Sequence, residues 1–266
     1  MKSIDISFSK IITKFICDDK NLGYYYNHKF SHSKHTLQNI IHEILFVLQT
    51  GISWRNLRSS INYNTIYWHY KRFIKHGIFK KIYSRLLNSY CVSNKDNLYI
   101  QIIDTTFIQN KLGKNRIARN KYFRNKNCNK VSIVTDVEGI PLSVLCDIGN
   151  KHDLTFCDKH INDLLIIKRK YKLNNKLYML ADKGYTSHKL MDKFNTYNYN
   201  LIIPPKKNMK TSTKYDKTKF KNRHVVENTF ASLKIMRRIM IRYDSLIKNY
   251  IGFLYLGLSK LIFTKL

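Results

Sequence analysis

The chain is poor in acidic residues and lacks the patterns of secreted, zinc-stapled or membrane-spanning proteins. Only 17 Asp and Glu residues stand against 48 Lys and Arg, so the 266 residues carry a formal net charge of +31. The five cysteines include no Cys-x-x-Cys pair, which excludes an obvious zinc ribbon or disulfide framework. No apolar run reaches the roughly 20 residues that a bilayer requires, and the first residues lack a secretory-signal pattern. We therefore expect an intracellular protein, neither secreted nor membrane-bound.

The composition is that of a folded protein with a polyanionic partner. Hydrophobic residues make up 44% of the sequence and aromatic residues 13%, which excludes a disordered or low-complexity chain. The length suits one large domain or two small ones. A surplus of positive charge this large is useful mainly against nucleic acid. We therefore expect the protein to act where DNA is.

Residues 31–92 predict a helical domain of helix-turn-helix type, while residues 1–30 are assigned no function. Apolar residues recur at helical spacing from Thr36 to Thr50, and Gly51 stands where a C-cap glycine belongs. A second helix follows, with Asn64 as its predicted N-cap. One side of this helix is predicted to carry Ile66, Tyr70, Phe73 and Ile74, and the rest of it largely to carry His69, Lys71, Arg72 and Lys75. This helix is a candidate to read DNA through Lys71 and Arg72, although an ordinary three-helix bundle with a basic face fits the same pattern.

Residues 96–266 predict an α/β domain with a mixed sheet. Short β-rich runs occur at 98–103, 131–135, 141–146, 176–180 and 201–203. Helical patterns occur at 153–170, 186–195 and 223–238. Three leading strands followed by alternating helix and strand are typical of a mixed sheet flanked by helices.

Three carboxylates in this second domain are candidates for chemistry. Asp104 and Asp182 each follow an apolar strand, at the point where an α/β sheet opens to a crevice. Taken singly, each is more typical of a turn. Glu227 shares one helix face with Arg223 and Lys234, and singly an exposed Arg–Glu pair is the simpler interpretation. Together, the three acids suit two divalent cations that clamp a phosphodiester during in-line displacement.

Two basic segments lie where a DNA substrate of such a site would need them. Residues 111–130 contain no acid, and residues 206–223 contain Asp216 alone. The second segment includes Lys206 and Lys207 and leads into the helix of Glu227. Each phosphate contact adds about one unit to the salt dependence of binding, so we expect binding to be strongly salt-sensitive.

These motifs resemble the DDE-type transposases of bacterial insertion sequences, in particular the insertion-sequence family 5 group. The similar segments are LQTGISWRNL in the helical part, IIDTT around Asp104, ADKGY around Asp182 and RHVVENTFASLK around Glu227. Arg223, Glu227 and Lys234 match the spacing of that group's Arg-Glu-Lys signature, whereas Phe220 stands at its tyrosine position.

The resemblance implies an RNase H-like fold, preceded by the small helical domain, and a pair of Mg²⁺ or Mn²⁺ ions as cofactors. It implies that Asp104, Asp182 and Glu227 hold the metals and that Arg223 and Lys234 position phosphates. The implied reaction is a hydrolytic nick at the end of a mobile element, after which the released 3′-OH attacks target DNA. The implied partners are double-stranded element ends and target DNA, bound by a homo-oligomer.

Two alternatives remain open on the sequence. One is a catalytically silent DNA-binding derivative of a transposase, and the other is a related nuclease that cuts without joining. Two further acids are weaker candidates for the site. Asp136 precedes a turn at Gly139, and Asp153 is predicted to cap the helix that follows it.

Overall fold

A computed structural model describes residues 3–30, 33–205 and 215–266 of the chain. The helices are α1 (Ser3–Cys17), α2 (Leu37–Thr50), α3 (Tyr63–Lys75), α4 (Ile78–Ser93), α5 (Leu154–Lys170), α6 (His188–Thr196), α7 (Lys217–Phe220), α8 (His224–Ile235), α9 (Arg237–Met240) and α10 (Ile247–Phe263). The strands are β1 (Ile100–Asn110), β2 (Ala118–Asn120), β3 (Lys126–Thr135), β4 (Pro141–Ile148), β5 (Leu177–Leu180), β6 (Tyr199–Ile202) and β7 (Ile241–Arg242).

The chain folds into two compact units, and neither is one continuous stretch. The helical unit comprises the described residues of Met1–Leu86, Lys111–Asn115 and Leu233–Leu266. The sheet unit comprises the described residues of Leu87–Asn110 and Arg116–Ser232. Compactness does not test independent folding, so the domain limits 1–30, 31–92 and 96–266 stay a prediction.

In the helical unit, local capping chemistry sets the ends of α2 and α3. Thr36 Oγ1 accepts the Asn39 N–H at 3.1 Å at the start of α2, and Gly51 ends it with φ 69°, as predicted. The predicted N-cap of α3 was wrong. Asn62 is the cap, and its side chain accepts the Asn64 N–H at 2.9 Å, because the turn begins two residues earlier than the apolar pattern indicates.

His69 is the second departure in the helical unit. It is not on the solvated side of α3, because only 2% of it is exposed and the Tyr26 hydroxyl lies 2.7 Å from its Nδ1. The π-helical turn Tyr25–Lys29 covers this position. Burial, helped by the charge of Arg72, lowers the pKa of His69 to about 4. The ring is therefore neutral at physiological pH and is part of the core.

The sheet unit has a mixed sheet, which confirms the α/β prediction. The strand order is β4–β3–β1–β5–β6, and β2 also pairs with β3. β1 and β4 both run antiparallel to β3, whereas β1, β5 and β6 are parallel to one another. α5 packs its buried residues against β4. The fold thus sets β1 beside β5, and two of the candidate acids lie just beyond the end of the β1–β5 pairing.

β1 is longer than its apolar run, so Asp104 does not end the strand as predicted. Antiparallel pairing with β3 continues from Ile102 to Gln109, and it carries the polar residues after Asp104. Parallel pairing with β5, in contrast, stops at Ile102 and Leu180. Asp104 therefore stands just beyond the place where β5 leaves β1.

No helix in the described part of the chain has the length and hydropathy needed to cross a bilayer.

Candidate active site

Asp104 and Asp182 lie at equivalent places on neighbouring parallel strands. Each follows by two residues the last β1–β5 pair, Ile102 and Leu180. Burial raises the pKa of Asp104, and the negative charge of Asp182 raises it further, against the opposing influence of Arg223 and the Thr105 N–H. The two carboxylates are thus close enough to repel each other. Two such acids, each just beyond the last pair of adjacent parallel strands, form an oxygen-rich edge.

Asp182 also closes the turn after β5. Its Oδ1 accepts the Gly184 N–H at 2.8 Å, at the start of the short 3₁₀ turn Lys183–Tyr185. This is the turn chemistry that the sequence predicted for Asp182 taken singly. In the part of the chain that the structure describes, the Asp182 carboxylate accepts no other hydrogen bond, and the residue is exposed. One of its oxygens is therefore available to a ligand.

Arg223 joins the third acid to the first. Its Nη2 lies 3.1 Å from Asp104 Oδ2, and its Nη1 lies 3.3 Å from Glu227 Oε1. Only 13% of the Arg223 side chain is exposed, against 62% for Glu227. The guanidinium therefore occupies the space between two of the three candidate acids and neutralises them. The predicted pairing of Arg223 with Glu227 is present, and the bond to Asp104 is an addition that the sequence did not show.

The turn between β3 and β4 positions the helix that carries Glu227. Asp136 is fully buried, and its Oδ1 accepts the N–H groups of Glu138 and Ile140 at 3.0 and 2.9 Å. This holds Gly139 at φ 77°, and Thr229 Oγ1 of α8 donates to the Gly139 carbonyl at 2.9 Å. A β-carbon at Gly139 would lie 2.8 Å from that hydroxyl oxygen, so the position requires glycine. Asp136 is a structural residue, as its place before the turn predicted.

Asp153 stands at the start of α5 but does not cap it, which corrects the prediction. Its side chain makes no capping hydrogen bond. Instead, Asp153 Oδ1 accepts from Lys130 Nζ at 2.8 Å and from Thr105 Oγ1 at 3.0 Å. Only 7% of the Lys130 side chain is exposed, so this is a largely buried ion pair next to the backbone of Asp104. Sequence reasoning missed it because the three residues lie on separate elements.

Tyr185 brings a further polar atom to the same region. It is 1% exposed, and its hydroxyl has no hydrogen-bond partner among the described residues. Burial, and then the charges of Asp153, Asp104 and Asp182, raise the pKa of Tyr185 far above its ordinary value. The phenol is therefore protonated and can donate a hydrogen bond. The ADKGY motif contained this residue, but nothing in the sequence showed that its hydroxyl is buried.

The donor chemistry of this region fits a hard divalent cation, although the three acids are not assembled around one point. Carboxylate oxygens are the ligands that Mg²⁺ and Mn²⁺ prefer. Within residues 3–30, 33–205 and 215–266, no three His, Cys, Asp or Glu side chains converge in metal-binding geometry. The charge of Asp182 acts on Asp104 through space, whereas Glu227 is linked to Asp104 through Arg223. A cation bound by all three would have to displace that guanidinium.

The remaining predicted DNA-binding residues lie in different settings. Lys71 is exposed on α3, and Arg72 is half-buried, with its guanidinium 4.0 Å from the centre of the Tyr25 ring. Lys234 is half-buried in the last turn of α8. Lys206 and Lys207 lie outside the described residues.

A mixed sheet in this order, with acids beyond adjacent parallel strands, defines the RNase H-like class of catalytic domains. The chain belongs to the transposase DDE domain family, whose sequence profile matches residues 96–259. The protein is accordingly a DDE transposase, an enzyme that cleaves DNA and transfers the cut strand. The narrower assignment to the insertion-sequence family 5 group stays a prediction.

The chain is similar to solved transposase structures at low sequence identity, and one of them has a TM-score above 0.5. The piggyBac transposase synaptic complex with hairpin DNA is 8% identical, with a TM-score of 0.54 over 97% of this chain and 74% of that chain. The catalytic domain of Mos1 mariner transposase is 12% identical, with a TM-score of 0.34 over 71% and 90% of the two chains. A pre-cleavage Mos1 transpososome is 13% identical, with a TM-score of 0.35 over 98% and 78%. No curated protein sequence matches the chain.

Proposed function

We propose that Asp104, Asp182 and Glu227 are the catalytic carboxylates of this transposase and that they hold two Mg²⁺ or Mn²⁺ ions. The observation that carries the proposal is the meeting of Asp104 and Asp182 beyond the last β1–β5 pair, with Glu227 tied to Asp104 through Arg223. Asp182 has a carboxylate oxygen without a hydrogen-bond partner among the described residues, and the Tyr185 hydroxyl likewise has none. Both observations are consistent with a ligand-binding region. Bound ions would act as Lewis acids on the attacking and leaving oxygens of a phosphodiester.

The chain's own residues would divide the remaining work. Asp104 is held in place by its bond to the Thr105 N–H at 2.8 Å, and Thr105 is held by Asp153. Arg223 has two bonds to carboxylates that a bound cation would take over, which would free its guanidinium for a phosphate. Lys234 would contribute a second cation from the same helix, as the family signature implies. Both residues would position DNA and take no part in proton transfer.

The substrates in this proposal are double-stranded element ends and target DNA, and the active form is a homo-oligomer on paired ends. The net charge of +31 supports a polyanionic substrate. The piggyBac relative was solved as a synaptic complex with hairpin DNA. A nick would release a 3′-OH at the element end, and that oxygen would attack a target phosphodiester with loss of the target's own 3′-oxygen.

The test incubates the full chain with a labelled duplex of the DNA that flanks its own coding sequence, in Mg²⁺, in Mn²⁺ and in EDTA. Asp182→Asn is compared with Asp192→Asn, an exposed aspartate on α6 that serves as the charge-matched control. Metal-dependent nicking and joining that only Asp182→Asn abolishes supports the proposal. Cleavage without joining identifies a nuclease, and salt-sensitive binding without cleavage in either metal identifies a silent DNA-binding derivative.

A further inference from the structure

The helical unit contains a groove of about 1120 Å³ between α3 and the start of α10. We propose that this groove is a DNA-binding surface that binds the phosphate backbone of a duplex. The inference rests on the proposed function, in which DNA is the partner. The surface, called the α3–α10 groove below, includes Trp68, Lys71, Arg72, Lys75, His76 and Lys248.

Positive charge in the groove is not compensated by acids. Lys71, Lys75 and Lys248 are exposed, and no Asp or Glu of the described part of the chain lines the groove. Over the described residues, neither these three lysines nor Arg72 forms an ion pair. The acid nearest in sequence to the α10 wall is Asp244, which is buried and bound to Arg238 at 2.9 Å. No carboxylate of the described residues therefore competes with an external anion for these cations.

Arg72 is held by aromatic rings. Its guanidinium lies 4.0 Å from the centre of the Tyr25 ring and 5.2 Å from that of Trp68. Ring faces attract a guanidinium without neutralising it, so the charge stays available. Arg72 Nε is buried without a hydrogen-bond partner among the described residues, so no acceptor among them orients that nitrogen. Trp68 is itself 48% exposed and borders the same groove.

The two walls of the groove are fixed to each other. The Tyr70 hydroxyl of α3 donates to the Asn249 carbonyl of α10 at 2.5 Å in the core. Gly252 permits this approach, because a β-carbon there would overlap Ile74 Cδ1. A surface built this rigidly loses little entropy when it binds a ligand.

The start of the α10 wall is fixed as well. Arg242 is fully buried and donates to the carbonyls of Asp244 and Ser245, at 3.0 and 2.9 Å. It also donates to Asn115 Oδ1 at 2.9 Å, and that oxygen in turn accepts the Ile247 N–H at 2.9 Å. The turn that carries Lys248 into α10 is therefore held by buried hydrogen bonds, so the lysine has a defined place to present its charge.

The shape and spacing of the groove favour a nucleic-acid backbone as the occupant. The groove is concave, so a flat membrane surface cannot reach all of its cations, whereas the convex edge of a duplex can. Lys71 and Lys75 are one helical turn apart, a rise of about 6 Å, which matches roughly two nucleotides at 3.4 Å each. A second copy of this chain, with 17 acids against 48 basic residues, offers little complementary charge.

The test measures binding of the full chain in EDTA to a labelled duplex of about three helical turns, so that it does not depend on catalysis. The groove variant carries Lys71→Gln, Lys75→Gln and Lys248→Gln. The control variant carries Lys10→Gln, Lys14→Gln and Lys80→Gln, which removes the same charge from exposed helical lysines of the same unit. Each lost phosphate contact makes the negative slope of log K against log salt shallower by about 0.9.

We expect the groove variant to lose roughly 2 to 3 units of slope and at least tenfold in affinity, because three contacts are removed. The control variant should change both by much less. Equal losses in the two variants would overturn the proposal, since only the total charge would then matter. Nicking by the wild-type protein is scored separately, so a failure of catalysis is distinguishable from a failure of the groove.

A second readout locates the DNA. The chain has two tryptophans, so Trp54→Phe leaves Trp68 as the single reporter in the groove. Saturating duplex should protect Trp68 from quenching by acrylamide, and the groove variant should lose that protection at the same DNA concentration. Unchanged quenching in the presence of bound DNA would contradict the proposal. Protection by anionic lipid vesicles and not by DNA would assign the groove to a membrane and would also overturn it.

Discussion

Arg223→Gln tests whether this guanidinium occupies the place of a metal ion. In the structure Arg223 lies 3.1 Å from Asp104 Oδ2 and 3.3 Å from Glu227 Oε1, so a cation bound to those oxygens must displace it. The variant removes the competing charge and keeps most of the side-chain volume. We therefore expect the metal to bind the variant more tightly in the absence of DNA, although the variant should nick DNA more slowly.

The size of the effect follows from the exposure of the two ion pairs. The bond to Asp104 is mostly shielded, with 13% and 19% of the two side chains exposed, and a charged hydrogen bond of this kind contributes about 1.5–3 kcal/mol. The bond to Glu227 contributes under about 1 kcal/mol, because 62% of that side chain is exposed to solvent. Since 1.4 kcal/mol corresponds to a factor of ten, we expect Mn²⁺ to bind roughly 10- to 100-fold more tightly.

The assay is calorimetric titration of Mn²⁺ into the DNA-free protein, with single-turnover nicking measured in parallel. Arg119→Gln is the matched control, because Arg119 is an exposed arginine of the sheet unit and its replacement makes the same change in net charge. A Kd for Arg223→Gln that equals or exceeds that of Arg119→Gln would refute the reasoning. It would show that the guanidinium does not compete with the metal.

Three other outcomes follow from single contacts. Glu227→Gln should slow nicking by at least about 10³-fold. It should leave the melting temperature unchanged, because the Glu227 side chain is mostly exposed. A large drop in Tm would instead indicate a structural role for Glu227. Burial lowers the pKa of His160 to about 3. The free energy of unfolding should therefore fall as the pH drops from about 6.5 towards 3, by up to about 1.4 kcal/mol per pKa unit. In urea unfolding, His160→Gln should show a weaker dependence of that free energy on pH. Gly252→Ala should cost about 1–3 kcal/mol, and added Ile74→Val should restore part of it in a double-mutant cycle; strict additivity would be evidence against the overlap.

Much of the fold was predictable because its signals are local. The apolar period and the C-cap Gly51 locate α2 from the sequence, whereas the helical pattern alone locates α5 and α8. β1 was underestimated because its second half is mostly polar and is held by pairing with β3. The partners range from Ser132, opposite Thr105, to Cys128, opposite Gln109, and are too far along the chain for a local pattern to show. His69 was misplaced for the same reason, since it is covered by a π-helical turn whose sequence gave only weak signals.

The sequence could predict which residues form the candidate site but not the ion pairs that link them. Asp104 and Asp182 could be singled out because each follows an apolar strand, and Glu227 because helical spacing puts it beside Arg223. The bond from Arg223 to Asp104 joins residues far apart in the chain, and no spacing rule predicts it. The ion pair of Lys130 with Asp153 was hidden in the same way, and it falls on a residue that looked like a helix cap.

The occupancy of their oxygens separates the acids of the sheet unit into two kinds. Asp136 is fully buried and accepts from two backbone N–H groups and from the Tyr90 hydroxyl, so a metal would have to break three hydrogen bonds to reach it. Asp153 is bound by a buried lysine and a threonine. Asp182 has one backbone donor and an exposed side chain. Asp104 accepts one backbone N–H, from Thr105, and shares the Arg223 guanidinium with Glu227. That guanidinium belongs to a side chain, so it can turn away without breaking the backbone pairing of either acid's element. Because a metal ion replaces existing partners, the acids whose partners are fewest or most easily displaced are the better ligands. Among the five acids that the sequence singled out, this ranking favours Asp104, Asp182 and Glu227 over Asp136 and Asp153, on physical grounds that are independent of the family signature.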